Sequence, residues 1–228
     1  MTETLQIPYS LSIRITTDGF SFTLKQGKDT ILKRSVYCPE SLLDEKLLTE
    51  LQQQNLLGKQ FQHTYVVLHS KSQTVPNELY RPEDETIWFT SLHPTKRLHE
   101  IIIKSQYIPE LGCYTIFSIP KKVYLALQEA LGENITYQHV SAELIAELLQ
   151  HRDKHLAIYQ HQKNLDMVVM NNGGLLLSNQ FSTQNDTDIA YWVLNAIEQF
   201  KLPTNLKTIL VLPEQTSGLN NLLQKLLS

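Results

Sequence analysis

Glycine-containing turns are the features of this chain that come nearest to a site for chemistry. Asp18-Gly19 is one such turn, and Asn171-Asn172-Gly173-Gly174 contains a second one with two adjacent glycines. Consecutive backbone N–H groups in turns of this composition can surround the oxygens of a phosphate group. Asp-Gly is also a common hairpin turn, because glycine accepts positive φ angles, so a purely structural role is the simpler interpretation of Asp18-Gly19.

The other reactive side chains give weaker indications of a site. His151 and His155 stand four residues apart, as two metal ligands on one helix would, but Arg152-Asp153-Lys154 between them indicates the exit of a helix. Cys38 and Cys113 lie at the ends of predicted strands, where buried structural thiols are expected. The sequence contains no HExxH, paired CxxC, Walker loop or Gly-x-Ser-x-Gly elbow. We therefore predict neither a metal site nor a cofactor.

The bulk composition gives no reason to expect nucleic acid or a membrane as partner. The chain has 228 residues, 42% of them hydrophobic, and a formal net charge of -3. Its apolar runs are far too short to span a bilayer, and Met1 to Pro8 lack the cationic and apolar pattern of an export signal. Two cysteines in a chain of this length do not make a disulfide scaffold. We expect a cytoplasmic protein.

A pattern of elements first occurs from about Ser10 to Ser70. Apolar residues alternate with polar ones over two adjacent segments, which predicts two strands that each bury one face. Asp18-Gly19 joins them, and Gly27-Lys28 precedes a third strand over Thr30 to Cys38. A helix then leads to a continuous apolar strand, as in a sheet covered on both faces. The apolar positions are Leu11, Ile13, Ile15, Phe20, Phe22 and Leu24 in the strands, Leu43, Leu47, Leu48 and Leu51 in the helix, and Tyr65 to Leu68 in the last strand.

The same order of elements returns from about His155 to Pro213. Three strands joined by short turns precede a helix with apolar residues at i, i+3, i+4, i+7, i+8 and i+11, and a buried strand and a final amphipathic helix follow. A repeated unit of this kind predicts two lobes of one architecture on either side of a cleft. The predicted elements are strands at His155 to His161, Leu165 to Met170, Gly174 to Phe181 and Ile209 to Leu212, and helices over Ile189 to Phe200 and Leu219 to Leu227.

The segment between the two copies is less regular. Thr74 to His93 contains prolines and many acids, and we interpret it as a long connection with one helical turn near Glu83. Beyond it, turn and helix signals predict two strands, a helix that stops at Gly132, another strand, and a helix with Ser141 as its N-cap. These elements are His99 to Ser105, Cys113 to Ile119, Lys122 to Leu131, Ile135 to Val140, and Ser141 to Gln150.

The order of elements strand-strand-strand-helix-strand occurs twice in the chain. This arrangement resembles the duplicated ribonuclease H-like fold of the actin-like ATPase superfamily. The sequence is similar to an uncharacterised bacterial domain-of-unknown-function family placed in that superfamily. The similar segments are Leu11 to Phe22, Gly174 to Phe181 and Asp186 to Tyr191. The resemblance implies an α/β protein of two ribonuclease H-like lobes, each a β-meander followed by helix-strand-helix. We expect the lobes to span residues 1–152, with inserted strands, and 153–228. The fold often carries a further strand where this chain stops, so the resemblance implies an abridged second lobe.

The resemblance also implies where chemistry would lie. An actin-like ATPase holds phosphates with one hairpin per lobe, each with an aspartate ending its first strand. Here Asp18 lies in the turn instead, and the matching turn of the second copy, His161 to Asn164, has neither Asp nor Gly. Asn171 to Gly174 falls between the second and third strands, which is the wrong hairpin. A two-metal nuclease would need a carboxylate on the first strand, where the two copies carry Arg14 and Tyr159.

From these residues we predict a non-catalytic binding protein of this fold, whose partner is another protein. Self-association is left open. The alternative is a nucleotide-binding ATPase with atypical phosphate hairpins, which would use Asp18, Gly19, Gly173 and Gly174. The sequence favours the first hypothesis, because function is argued from sites and the expected phosphate hairpins are missing.

Overall fold

The computed structural model describes residues 9–161, 163–205, 209–212 and 217–227. They form two compact units that interleave along the sequence, and the predicted lobe boundary after residue 152 stays a prediction. The expectations for Met1 to Pro8, Gln162, Pro213 and Ser228 concern residues outside the described ones. The first unit comprises the described residues of Met1–Ser70, Thr95–Lys104 and Ser118–Gln138, and the second unit those of Lys71–Pro94, Ser105–Phe117 and His139–Ser228.

The first unit contains the predicted meander. Strands β1 (Tyr9–Thr16), β2 (Gly19–Gln26) and β3 (Asp29–Tyr37) are antiparallel neighbours. Helix α1 (Leu43–Gln53) then crosses to β4 (His63–Leu68), which pairs with β1 in parallel. The resulting order β3-β2-β1-β4 has the first strand inside the sheet, flanked by its hairpin partner and the crossover strand.

The alternating residues of the first hairpin form its core as predicted. Leu11, Ile13 and Ile15 of β1 are buried and face Leu24, Phe22 and Phe20 of β2 in register. Directly opposed apolar side chains on one face are the units that stabilise an antiparallel pair. Because the side-chain period of a strand is two, a slip of either strand by one residue would expose its three apolar side chains, so the apolar pattern fixes the register.

The middle of the chain adds a second sheet. Its order is β5-β7-β6, while β8 extends the first sheet beside β4. The predicted helix that stops at Gly132 is confirmed, and that glycine has a positive φ of 81°. The elements are β5 (Ser72–Pro76), α2 (Glu85–Leu92), β6 (Ile101–Ile108), β7 (Cys113–Pro120), α3 (Lys121–Leu131), β8 (Thr136–His139) and α4 (Val140–Gln150).

The prediction of a long connection over Thr74 to His93 is wrong, because the segment contains most of β5 and all of α2. The helical turn predicted near Glu83 is confirmed, as a 3-10 turn at Pro82–Asp84. The sequence pattern does not indicate β5, because Val75 is its one buried residue and Pro76 is a residue that usually ends a strand. Proline is tolerated on an edge strand, where its missing N–H is not needed by the ladder. α2 buries only Phe89 and therefore lacks a helical stripe.

The predicted N-cap of α4 is also wrong. The cap is His139, whose Nδ1 accepts a hydrogen bond from the Ser141 backbone N–H at 3.2 Å. Ser141 lies inside the first turn of the helix. A histidine ring nitrogen thus replaces the hydroxyl that usually satisfies a free N–H at a helix start.

The second unit repeats the order of the first. Strands β9 (Leu156–His161), β10 (Asn164–Asn171) and β11 (Gly174–Ser182) form the meander, and α5 (Asp186–Phe200) leads to β12 (Ile209–Leu212). The sheet order is β11-β10-β9-β12, with β12 parallel to β9, so the predicted duplication is confirmed. A final helix, α6 (Ser217–Leu227), packs against α5.

The core of this repeat lies between the sheet and the two helices. The stripe predicted on α5 supplies Ile189, Val193 and Ile197, which are buried against strand residues such as Val169. Trp192 is only partly buried, at the border of this core, where it stacks on Phe181 with 4.3 Å between ring centroids. Trp192 therefore packs against this core from its border.

Candidate functional site

The β1–β2 turn contains the first candidate residue, Asp18. It lies in the turn and not on β1, as predicted, and its Oδ1 accepts a hydrogen bond from Thr16 Oγ1 at 2.6 Å. The Asp18 carbonyl accepts from the Cys38 backbone N–H at 3.1 Å, which ties the turn to the end of β3. Asp18 thus makes contacts that hold its own hairpin in place.

Gly19 has a structural role that is visible in the geometry. Its φ is 150°, and a Cβ at this position would lie 2.1 Å from the Val36 carbonyl oxygen on β3. No side chain fits there without moving backbone, so glycine is required by the close approach of two strands. This requirement exists whether or not a ligand is bound.

Arg14 lies on the first strand of the first unit, where a two-metal nuclease would need a carboxylate. Its Nη1 donates to the Nε2 atom of His69 at 2.8 Å. His69 follows β4, whose residues pair with β1 in parallel. A guanidinium at this position disfavours a bound cation by charge repulsion.

In the second unit, a buried carboxylate lies close to the matching hairpin and was missed from the sequence. Asp166, on β10, is only 3% exposed. Its Oδ2 is 3.1 Å from His161 Nε2 on β9, and its Oδ1 accepts from Gln180 Nε2 on β11 at 3.0 Å. Three neighbouring strands therefore contribute to one polar network, as a buried carboxylate requires. The sequence signal was a lone acid within the apolar run Leu165 to Met170.

Gly173 and Gly174 lie in the β10–β11 turn of the second unit, whereas Asp18 and Gly19 belong to the first unit. The turn residues Asn172 and Gly173 have positive φ angles of 50° and 78°. Two central residues with positive φ make the tight hairpin turn that suits the twist of antiparallel strands. A Cβ on Gly173 would meet nothing within 4 Å, so space does not require this glycine.

The cysteines and histidines singled out in the sequence take separate places. Burial raises the pKa of the Cys38 thiol and that of the Cys113 thiol, which suits structural thiols. His151 caps the end of α4 and its Nδ1 bonds the Glu147 carbonyl at 2.9 Å, while His155 lies just before β9. The described residues contain no group of three metal-binding side chains that includes this histidine pair.

A groove of about 780 Å³ lies within the second unit, between β5 and β11. Its walls are the two strands, and the end of α2 and the β10–β11 turn also line it. Leu92 and Leu176, which are 62% and 43% exposed, give the groove apolar surface. The groove is large enough for several side chains of a bound ligand.

The wall formed by β5 presents main-chain groups to the groove. The Asn77 N–H donates to the Gly112 carbonyl next to the β5–β7 ladder. Along an antiparallel strand, residues alternate between bonding the partner strand and facing away from it, so the main-chain groups of Ser72, Thr74 and Pro76 face away from β7. The Ser72 carbonyl accepts from His93 Nε2 at 2.9 Å, and the Pro76 carbonyl accepts from the N–H groups after it. Pro76 has no N–H. Among the described residues, the main chain of Thr74 is left without a partner on this side.

The wall formed by β11 is the edge of the four-stranded sheet. The Thr183 N–H donates to the Lys163 carbonyl beside β10. Since every second residue of β11 bonds β10 in the same way, the N–H and C=O groups of Ser178 and Gln180 face away from β10. The Gln180 N–H is bound by the Asn179 side chain at 2.9 Å. Ser178 lines the groove and offers its main-chain donor and acceptor there.

The comparisons with known proteins place the chain in a family. The sequence profile described as "Protein of unknown function (DUF3822)" matches residues 3–227. The chain belongs to this family. No curated protein matches the DUF3822 chain significantly.

Solved structures identify the fold. A Bacteroides thetaiotaomicron protein described as having an actin-like ATPase fold and unknown function superposes with a TM-score of 0.77 and 23% identity, over 97% of this chain and 89% of that one. This similarity confirms the predicted fold and resemblance. A PilM–PilN type IV pilus biogenesis complex gives a TM-score of 0.49 at 13% identity, over 96% and 85% of the chains. The ethanolamine utilization protein EutJ from Carboxydothermus hydrogenoformans gives 0.41 at 9%, over 88% and 60%.

Within the described part of the DUF3822 chain, every helix is too short or too polar to cross a bilayer.

The role of Gly19 can be tested by mutation. We expect Gly19→Ala to lower the free energy of unfolding by about 2 kcal/mol or more, since the methyl group overlaps the Val36 carbonyl. Gly58→Ala is the matched control, because Gly58 has a positive φ of 67° but open space around it, and we expect a cost of about 1 kcal/mol. Urea unfolding measures both variants. Equal costs would show that Gly19 serves only the turn conformation.

Proposed function

We propose that this DUF3822 protein is a non-catalytic domain that binds an extended segment of another protein in the groove between β5 and β11. The observation that supports this role is the outward-facing main chain of Ser178 on an unpaired sheet edge. An extended peptide added to such an edge gains main-chain hydrogen bonds, and neighbouring pockets select its side chains.

The two strand edges support the proposal because natural proteins usually protect exposed edges from pairing. β5 is a protected edge, because it is short and contains Pro76. β11 has nine residues and only a local irregularity of register, opposite Val169 and Met170 of β10. Because β11 is longer than β5 and contains no proline, β11 is the better template for a partner strand.

The non-catalytic part of the proposal is supported by the first strand and its turn. Arg14 donates to His69 at the place where a two-metal nuclease would need an acid. Asp18 accepts from Thr16 within its own hairpin, and Gly19 is explained by the approach of β3. Gly19 and the Oδ1 atom of Asp18 thus have structural explanations, whereas the buried Oδ2 atom of Asp18 has no hydrogen-bond partner among the described residues.

A nucleotide titration tests the non-catalytic part. We expect millimolar ATP with magnesium to leave the melting temperature of the full chain unchanged, because a ligand stabilises only a protein that binds it in the folded state. At 100 times its Kd, a nucleotide would add about 2.7 kcal/mol, a shift of several degrees. Magnesium alone and ADP are the controls. A saturable rise with ATP would support the nucleotide-binding alternative instead.

A peptide selection tests binding in the groove. A display library of random 12-residue peptides is selected on the wild-type chain and on Ser178→Pro, which removes the N–H that faces the groove but no bond of the β10–β11 ladder. We expect enriched peptides to bind Ser178→Pro at least about tenfold more weakly, as expected for the loss of one hydrogen bond together with the added ring.

Ser182→Pro is the matched control for this selection. Ser182 ends the same strand and its N–H also faces away from β10, but it does not line the groove. The control should bind the enriched peptides as the wild type does, with both variants melting within a few degrees of it. Peptides that bind all three proteins equally, or no enrichment at all on the wild type, would contradict the proposal.

A further inference from the structure

The outer strand of the first unit is a further unpaired edge. β3 borders the five-stranded sheet and has β2 as its one neighbouring strand. Its nine residues are mostly exposed on both faces of the sheet, since Leu32 and Val36 are partly buried and the others are exposed. Strands of antiparallel sheets commonly pack one face on the core, so β3 extends beyond the packed part of its unit.

The main chain of β3 leaves successive residues without a bond on its outer side. The Cys38 N–H donates to the Asp18 carbonyl next to the β2–β3 ladder. Residues of an antiparallel strand bond their neighbour alternately, so the N–H and C=O groups of Lys33, Ser35 and Tyr37 face away from β2. Among the described residues, these groups have no partner on that side. They form a continuous template for one more strand.

This template has a defined beginning and end. The β2–β3 register shifts between Leu24 and Lys25, so Ile31 is an extra residue of β3 that interrupts the edge. At the other end, Pro39 follows the strand and has no N–H to donate. An added strand can therefore bond β3 in regular register only between Ile31 and Pro39.

We infer that the added strand is β3 of a second copy of this chain, paired antiparallel about a two-fold axis at Ser35. Two identical strands in antiparallel pairing are related by such an axis, so the contact closes at a dimer. The sheet of one copy then continues into the sheet of the other. The inference goes beyond the proposed function and does not rest on it, because β3 and the groove belong to different units.

The side chains of β3 complement each other in this register. Lys33 of one copy lies opposite Tyr37 of the other, and Arg34 lies opposite Val36. Each outward residue is paired, and an ammonium group lies beside an aromatic ring. Tyr37 is 75% exposed in the single chain, so the pairing covers a ring that the fold leaves in water. This match between β3 and itself favours a second copy over an unrelated partner.

The neighbouring two-fold registers are less favourable. An axis at Lys33 or at Arg34 places like charges directly opposite each other, which destabilises a strand pair. An axis at Val36 or at Tyr37 brings Pro39 opposite an outward residue, where its missing N–H leaves a bond unmade. The charges on one side and the proline on the other therefore select the axis at Ser35.

Sedimentation velocity of the full chain tests the dimer. Ser35→Pro removes an outward N–H but no bond of the β2–β3 ladder. Ser178→Pro is the matched control, because it makes the same change on the β11 edge of the other unit. We expect the wild type and the control to dimerise with the same Kd, and Ser35→Pro to raise that Kd at least about tenfold. All three should melt within a few degrees of one another.

Cysteine crosslinking tests the register. With the axis at Ser35, the two Ser35 Cα atoms lie about 5.5 Å apart, which a disulfide can span, whereas the two Lys33 Cα atoms lie more than about 10 Å apart. We expect diamide to crosslink Ser35→Cys at least about tenfold faster than Lys33→Cys. A mixture of Lys33→Cys and Tyr37→Cys should form a mixed dimer. The wild type, whose Cys38 and Cys113 are buried, is the control and should stay uncrosslinked.

Several results would overturn the inference. One is a wild-type chain that stays monomeric up to about 1 mM, and another is a dimer whose Kd is unchanged in Ser35→Pro or is raised in Ser178→Pro instead. Equally fast crosslinking of Ser35→Cys and Lys33→Cys would also contradict it, because the strands would not share the axis at Ser35. If Ser35→Pro melts far below the wild type, the crosslinking pattern decides by itself.

Discussion

Unpaired main-chain groups at the edges of two strands are the constraint on which this account depends. Backbone N–H and C=O groups need hydrogen-bond partners, and β5 and β11 each have a neighbouring strand on one side only. Some of the outward groups have partners: the Ser72 carbonyl accepts from His93, the Pro76 carbonyl accepts from following N–H groups, and the Gln180 N–H donates to Asn179. Thr74 and Ser178 face the groove instead, so the groove is where another chain can add hydrogen bonds.

The duplicated meander is the scaffold that creates this edge. In each copy the first strand lies inside its sheet, between its hairpin partner and a parallel strand, and the third strand forms an edge. The hairpin between the first and second strands of each copy therefore includes the interior strand, and the third strand is the edge. In the first copy that hairpin is held by contacts of Asp18 and Gly19 with β1 and β3. A polar network around Asp166 joins the three meander strands of the second copy.

Local patterns in the sequence were sufficient for the repeated elements, because burial of one face leaves a period of two or 3.6. Leu11 to Leu24 and the stripe of α5 were predicted for this reason and are confirmed. β5 left no such trace, since only Val75 is buried in it. The partners of Asp166 lie five and 14 residues away on other strands, and the groove depends on which strands are neighbours. Such features follow from non-local pairing, which a local pattern does not encode.

Amide hydrogen exchange, resolved by residue with NMR, tests the central claim most directly. The full chain is compared with and without a peptide enriched on it by display. A strand added to the β11 edge would bond the outward N–H of Ser178, and hydrogen-bonded amides exchange slowly. The account predicts that binding slows exchange at Ser178 by at least about tenfold, while ladder amides such as that of Thr183 change little. Protection confined to the β1–β2 turn, with Ser178 unchanged, would contradict it.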